Sequence, residues 1–131
     1  MKLIYERLTY KIIGVLYKVH NKLGPALQEK HYQRAIEKEL IAKKIPYQRE
    51  FKIPLIYEGE SIGSYRIDFV IDNKVALEIK NAQFFKRKYM AQVLSYLSAA
   101  GLKLGILADF NRPKLYIKRI VNPKFKSQKS D

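Results

Sequence analysis

The chain has 131 residues, 47% of them hydrophobic and 29% charged. That is enough for one domain with a core of its own, and too apolar for a disordered chain. It holds no cysteine, which excludes disulfides, thiolate metal sites and cysteine nucleophiles and fits a cytoplasmic protein. Lys and Arg number 26 against 12 Asp and Glu, a formal charge of +14. Such a field draws polyanions, nucleic acid first and a membrane surface second, although solubility alone is the plainest reading. No apolar run approaches the ~20 residues that span a bilayer, so no membrane partner is expected. Glu6, Arg7 and Lys11 interrupt the first residues and argue against a secretory signal.

In chain order, Ile4, Leu8, Ile12, Val15 or Leu16, Val19 and Leu23 recur at helical spacing, which predicts a helix over 3–23 that Gly24-Pro25 ends. A second helix is expected over 27–44, with Tyr32, Ala35, Ile36 and Leu40 inward. The period then changes to alternation. YQREFKIPLIY (47–57) reads as a strand in which Pro54 marks an edge position or a bulge. EGESIG (58–63) reads as a turn, SYRIDFVI (64–71) as a second strand, and Asp72-Asn73-Lys74 as the turn into VALEIK (75–80). A third helix is expected over 86–100 and is closed by Gly101. LKLGILAD (102–109) and KLYIKRI (114–120) read as two further strands, with Gly105 at a close-packing site and Asp109 as a turn cap. The expectation is one α/β domain over 1–121, a mixed sheet flanked by helices, followed by a basic, frayed tail over 122–131.

The chemistry concentrates in RIDFVIDNKVALEIK (66–80). Strand alternation puts Ile67, Phe69 and Ile71 on one face and Arg66, Asp68 and Val70 on the other. It likewise separates Val75, Leu77 and Ile79 from Ala76, Glu78 and Lys80. A three-residue loop pairs Ile71 with Val75 and sets Asp68 opposite Glu78, whereas a two-residue loop sets Asp68 against Leu77. Burying both apolar faces together favours the first register. It also brings two carboxylates within roughly 5 Å at Cβ, which demands a compensating cation or a shared proton. Lys80 is one such cation and a divalent metal the other. Mg²⁺ takes oxygen ligands, keeps several waters and binds through one or two carboxylates with substrate phosphates. The plainer reading is a salt-bridged pair on a solvated sheet face.

Other candidates surround these three. Glu29 precedes Tyr32, Ile36 and Leu40 on the inward stripe of the second helix, where a third acid would reach a metal site; a favourable helix-terminal charge is the alternative. Gln92, four residues before Tyr96, would steady a water or a phosphate, or simply sit on the helix surface. Lys86-Arg87-Lys88 offers phosphate contacts, or a solvated helix start. His20 and His31 lack metal-ligand spacing and read as surface or packing residues.

Asp68 followed by Glu78-Ile79-Lys80 resembles the D…ExK pattern of the PD-(D/E)XK nuclease superfamily, with Ile67 where that pattern has Pro. LGPALQEKHY (23–32), KIPLIYEG (52–59), YRIDFVI (65–71), LEIK (77–80), AQVLSYL (91–97) and LGIL (104–107) are similar to the GxxExxY family within it. The resemblance covers about residues 20–121. The motif's Gly falls on Ala26, while Glu29 and Tyr32 match. Gln92 to Tyr96 resembles the QxxxY element of RecB-like nucleases. The resemblance implies a restriction-endonuclease-like fold with an extra N-terminal helix. It implies Asp68, Glu78 and the Ile79 carbonyl as metal ligands, Glu29 as a further, water-mediated one, Lys80 as the group that positions water, and Gln92 as an accessory. Lys86, Arg87, Lys88 and Tyr96 would meet nucleic acid.

The expected activity is a Mg²⁺-dependent DNA endonuclease, with Mn²⁺ substituting, that leaves a 5′-phosphate and a 3′-hydroxyl. By size and charge the chain is similar to archaeal Holliday-junction resolvases, and a homodimer would suit two-strand cleavage. The alternative is a non-catalytic nucleic-acid-binding module or accessory subunit that has kept the fold.

Overall fold

The computed structural model describes residues 4–84 and 86–125. Three helices and five strands follow in the order α1 (Glu6–Leu23), α2 (Glu29–Ala42), β1 (Tyr47–Tyr57), β2 (Glu60–Ile71), β3 (Val75–Lys80), α3 (Arg87–Ala100), β4 (Leu104–Asp109) and β5 (Tyr116–Val121). The sheet runs β1-β2-β3-β4-β5, and every neighbouring pair is antiparallel except β3 and β4. That parallel pair needs a crossover, and α3 supplies it. The result is the expected single α/β domain with a mixed sheet between helices.

Two cores fill the layers. On one face, Ile12, Leu16, Ile36 and Leu40 of α1 and α2 pack against Phe69, Leu77 and Ile106. On the other, Val93 and Leu97 of α3 pack against Val70, Ala76 and Leu107. The approach of α3 depends on Gly105, where an added Cβ would lie 2.6 Å from Val93 Cγ1.

Element ends depart from the sequence reading for local reasons. α1 begins only after Tyr5, which is left-handed at φ 49°; residue 3, the expected start, lies outside the described residues. α2 is shorter than 27–44 because Gln28 is extended and forms a reciprocal cap with His31, and because Lys44 is left-handed at φ 57°. EGESIG is no six-residue turn. Glu58 and Gly59, at φ 48° and 83°, make a two-residue hairpin loop, and β2 starts at Glu60. Pro54 lies on an edge strand, and the register shifts one residue later, between Leu55 and Ile56. Lys86 is the cap of α3 rather than its first residue. β4 starts at Leu104 instead of 102, and β5 covers Tyr116–Val121 instead of 114–120.

One facing expectation fails. Strand alternation groups Ile67 with Phe69 and Ile71, but it joins the α3-side core with Phe51 and Ile53. Glu50, level with Asp68 in the β1–β2 register, is left-handed at φ 50° and breaks the alternation there. Of the expected basic tail over 122–131, residues 126–131 lie outside the described residues. Before them, Asn122 is buried and tied to Leu102 and Lys103.

Candidate active site

The site begins where β2 leaves β3. The ladder pairs Ile71 with Val75, Val70 with Ala76 and Phe69 with Leu77, and then stops. This is the three-residue-loop register. Asp72 and Asn73 sustain it by adopting left-handed φ of 53° and 54°, which their short polar side chains tolerate better than most. Beyond Phe69 the strands part, and the two carboxylates replace the missing ladder bonds. The Asp68 N–H donates to Glu78 Oε1 at 2.8 Å, and the Ile79 N–H donates to Asp68 Oδ2 at 2.8 Å. Each acid therefore grips the other's strand.

In an extended strand the N–H and C=O of one residue leave by the same edge. The Phe110 N–H donates to the Lys80 carbonyl, which puts that carbonyl on the β4 edge. The Ile79 N–H, bonded to Asp68, faces the β2 edge, and its carbonyl emerges there too. Asp68, Glu78 and the Ile79 carbonyl thus converge on one gap.

Burial and mutual repulsion set the protonation. Glu78 is 5% exposed. Its carboxyl is pushed up to about 8, first by desolvation and then by the charge of Asp68, against the opposing Asp68 N–H bond. Asp68 is also raised, chiefly by burial and further by Glu29, while the Ile79 N–H, Lys80 and Arg49 pull it down. Burial and mutual repulsion therefore favour a proton held by the pair.

Lys80 shares the α3-facing side with Glu78, and its ammonium lies 5.0 Å from the centroid of the Tyr89 ring. Among the described residues no ion pair joins it to either acid, so the salt-bridged-pair reading of the hairpin does not describe this arrangement.

Glu29 is half-buried at the start of α2. Its Oε2 accepts the Asn81 N–H at 3.1 Å, just past the end of β3, and its charge reaches both Asp68 and Glu78. The Asn81 side chain bonds the Leu27 carbonyl. Tyr32, wholly buried, stacks on Phe110 at 4.3 Å; its hydroxyl donates to the Gly24 carbonyl and accepts the Leu27 N–H. The Glu and Tyr of the motif thus have distinct tasks: Tyr32 fixes the loop that delivers Glu29.

Asp109, fully buried level with Lys80, caps the next turn through the Ala82 and Asn111 N–H groups. His20 packs inward and meets the Arg112 carbonyl at 2.8 Å.

On α3, Tyr96 borders the site. Burial raises its hydroxyl first and the nearby Glu78 second, and its ring tilts against Tyr65 at 4.5 Å. Gln92 lies one turn before it and is exposed, as are Lys86, Arg87 and Lys88 at the start of the helix. Asn81, Tyr89, Tyr65 and Arg49 went unread in the sequence. Only Asn81, directly after the ExK run, carried a local signal; the others are brought in by tertiary packing.

The donor set suits a hard divalent cation. Two carboxylates and a carbonyl are oxygen donors, and no hydrogen bond among the described residues engages the second oxygen of Asp68 or Glu78. Among the described residues no three His, Cys, Asp or Glu side chains close into a complete ligand group. Mg²⁺, which keeps waters, requires none. No described helix is long and apolar enough to cross a membrane.

A family model described as the PD-(D/E)XK nuclease superfamily matches residues 6–120, α1 included. No curated protein matches the chain. Among solved structures, the crystal structure of SSO0001 is similar with a TM-score of 0.59 at 18% identity, over 89% of this chain and 61% of that one. The chain therefore spans about three fifths of that protein's length. An alkaline exonuclease (LHK-Exo) from Laribacter hongkongensis is similar with a TM-score of 0.49 at 12% identity, over 93% of this chain and 72% of the exonuclease. At 18% identity the likeness to SSO0001 concerns the fold, whereas the family match spans nearly the whole described chain. The chain belongs to the PD-(D/E)XK nuclease superfamily.

Proposed function

We propose that the chain is a divalent-metal-dependent endonuclease that hydrolyses phosphodiester bonds in DNA, branched DNA included, and that it falls in the GxxExxY branch of its superfamily. The observation that carries this reading is the reciprocal clasp of Asp68 and Glu78. A buried and a half-buried carboxylate are held together against their repulsion, each with one oxygen still to offer. Asp68, Glu78 and the Ile79 carbonyl would hold Mg²⁺, or Mn²⁺ in its place, and Glu29 would reach it through water. A cation bound there polarises a phosphoryl oxygen and acidifies a water. Lys80 orients the attacking water and stabilises the charge that builds on the phosphorane. Glu29 fixes the chain after β3 through Asn81. Gln92 steadies a water or a phosphate oxygen, and Lys86, Arg87, Lys88 and Tyr96 hold the flanking nucleotides. Water adds to phosphorus, the bond to the 3′ oxygen breaks, and the products carry a 5′-phosphate and a 3′-hydroxyl.

The test is cleavage of duplex, single-stranded, flap and four-way-junction DNA with Mg²⁺ or Mn²⁺. Asp68→Ala and Glu78→Ala should each lower the rate by about 10³-fold or more. Activity that survives both substitutions would remove the assigned site. Salt-dependent binding with no metal-dependent cleavage would replace the nuclease by a binding module.

A further inference from the structure

The helix α1, ERLTYKIIGVLYKVHNKL, buries Ile12, Val15, Leu16 and Val19 and leaves an outer face that the hydrolytic site does not use. Along that face, at intervals of three, four and seven, stand Arg7, Tyr10, Lys11, Gly14 and Tyr17. Tyr10 is 81% exposed and Tyr17 39%. Glu6, in the first turn, is the sole acid of the helix. Lys18 is already engaged with Glu39 at 3.0 Å; among the described residues no ion pair is formed by Arg7 or Lys11.

Gly14 is the anomaly. A mid-helix glycine weakens a helix relative to almost any other residue. Yet a Cβ added at Gly14 meets nothing within 4 Å, unlike one at Gly105. Nothing among the described residues requires a bare backbone there. The bare backbone leaves room for a body outside this chain to approach closely between Tyr10 and Tyr17.

The face ends in a basic cleft on each side. At the α1 N-terminus, a cleft of about 560 Å³ is lined by Arg7 and Lys11 with Lys43, Lys44 and Lys74, against Glu6 and Asp72. Asp72 is paired with Lys74 at 3.4 Å. At the other end, a cleft of about 720 Å³ is lined by Tyr17, Arg112, Lys114 and Tyr116. The Arg112 guanidinium lies 4.8 Å from the Tyr116 ring centroid and 3.6 Å from Asp109, the residue level with Lys80. One end therefore adjoins the hydrolytic end of the sheet. The other lies about 15 Å away, the rise of α1 from Arg7 to Tyr17.

We infer that the outer face of α1 and its two terminal clefts form a track for the phosphate backbone of nucleic acid leading away from the cleavage site. Cations meet the phosphates, Tyr10 and Tyr17 contact sugars or exposed bases, and Gly14 lets the strand come close. The inference rests on the nuclease reading for the identity of the polyanion. A second copy of this chain is the other body that would fit, but each copy carries +14 and would repel its twin along this face.

The test measures binding of a fluorescein-labelled 30-base-pair DNA by anisotropy, without divalent metal, over a series of salt concentrations. The double variant Arg7→Gln/Lys11→Gln should weaken binding about tenfold and lower the slope of log affinity against log salt by about 2. Gly14→Gln should move two readouts in opposite directions. The melting temperature rises because Gln is the better helix former, while affinity falls about threefold or more through the lost approach. Unchanged affinity and slope in both variants overturn the track. So does a Gly14→Gln effect confined to sedimentation, which would assign the face to self-association. Weakened binding in these variants together with no cleavage under any metal would sustain the track and sink the endonuclease. Metal-dependent cleavage with unaltered binding would do the reverse.

Discussion

At the scale of single residues, the raised value of Glu78 has a pH signature. Its carboxyl titrates near 8 in the fold against an ordinary 4.5, so between those values the folded state holds a proton that the unfolded chain has lost. The stability this group contributes is complete below about 4.5 and disappears as pH rises through about 8. A divalent cation held by Asp68 and Glu78 would compete with that proton. Mg²⁺ should therefore raise the melting temperature little at pH 6 and by about 3–8 °C at pH 9, and Glu78→Gln should flatten the difference; thermal melts with and without metal across that range decide it. Tyr32 makes a second case. Tyr32→Phe removes a buried hydroxyl that has two partners and leaves the Gly24 carbonyl and the Leu27 N–H each short of a bond. It should cost about 1–3 kcal/mol in denaturant unfolding and lower cleavage further through a looser Glu29.

At the scale of elements, the β2–β3 turn decides whether a site exists. Asp72 and Asn73 are both left-handed, which a β-branched residue resists. Asn73→Val should destabilise the fold by about 1–2 kcal/mol, whereas Asn73→Gly should be tolerated; urea titration of the two variants separates them. Gly105→Ala should cost about 1–3 kcal/mol, because its Cβ would meet Val93 and push α3 from the sheet. The hairpin was legible in the sequence because register follows from which faces must be buried, and that is a pattern in Ile71, Val75 and their neighbours. The break at Glu50 was not. Its left-handed backbone belongs to no turn motif, so the turning of Ile67 toward α3 had no local sign. The EGESIG segment misled for the opposite reason: its Gly and Ser residues read as loop, yet two residues suffice for the reversal and the rest pair.

At the scale of the molecule, four of the twelve acids, Glu29, Asp68, Glu78 and Asp109, gather at one end of the sheet, so the rest of the surface is more basic than the total of +14 implies. Affinity for nucleic acid should collapse with salt, by about 10³-fold or more from 50 to 200 mM if six or more phosphates are engaged; the same anisotropy series reads this. The layered architecture was legible from the order of periodicities, since a parallel β3–β4 pair forces a crossover helix. The surroundings of the site were less so. Asp68, Glu78 and Lys80 lie within one hairpin and could be read together. Tyr65, Tyr89 and Arg49 come from separate elements, and nothing in their own neighbourhoods marks them.

The clasp between β2 and β3 also bears on how such a protein would decay. Asp68 and Glu78 close the sheet where its ladder ends, so selection for folding alone would preserve them in a descendant that no longer cuts. Lys80 spans no such break: its ammonium lies over the Tyr89 ring and eases the charge of the two acids through space. Lineages that abandon hydrolysis should therefore shed the lysine first and keep both acids, and the ammonium rather than the carboxylates is the position to inspect when sorting working relatives from retired ones.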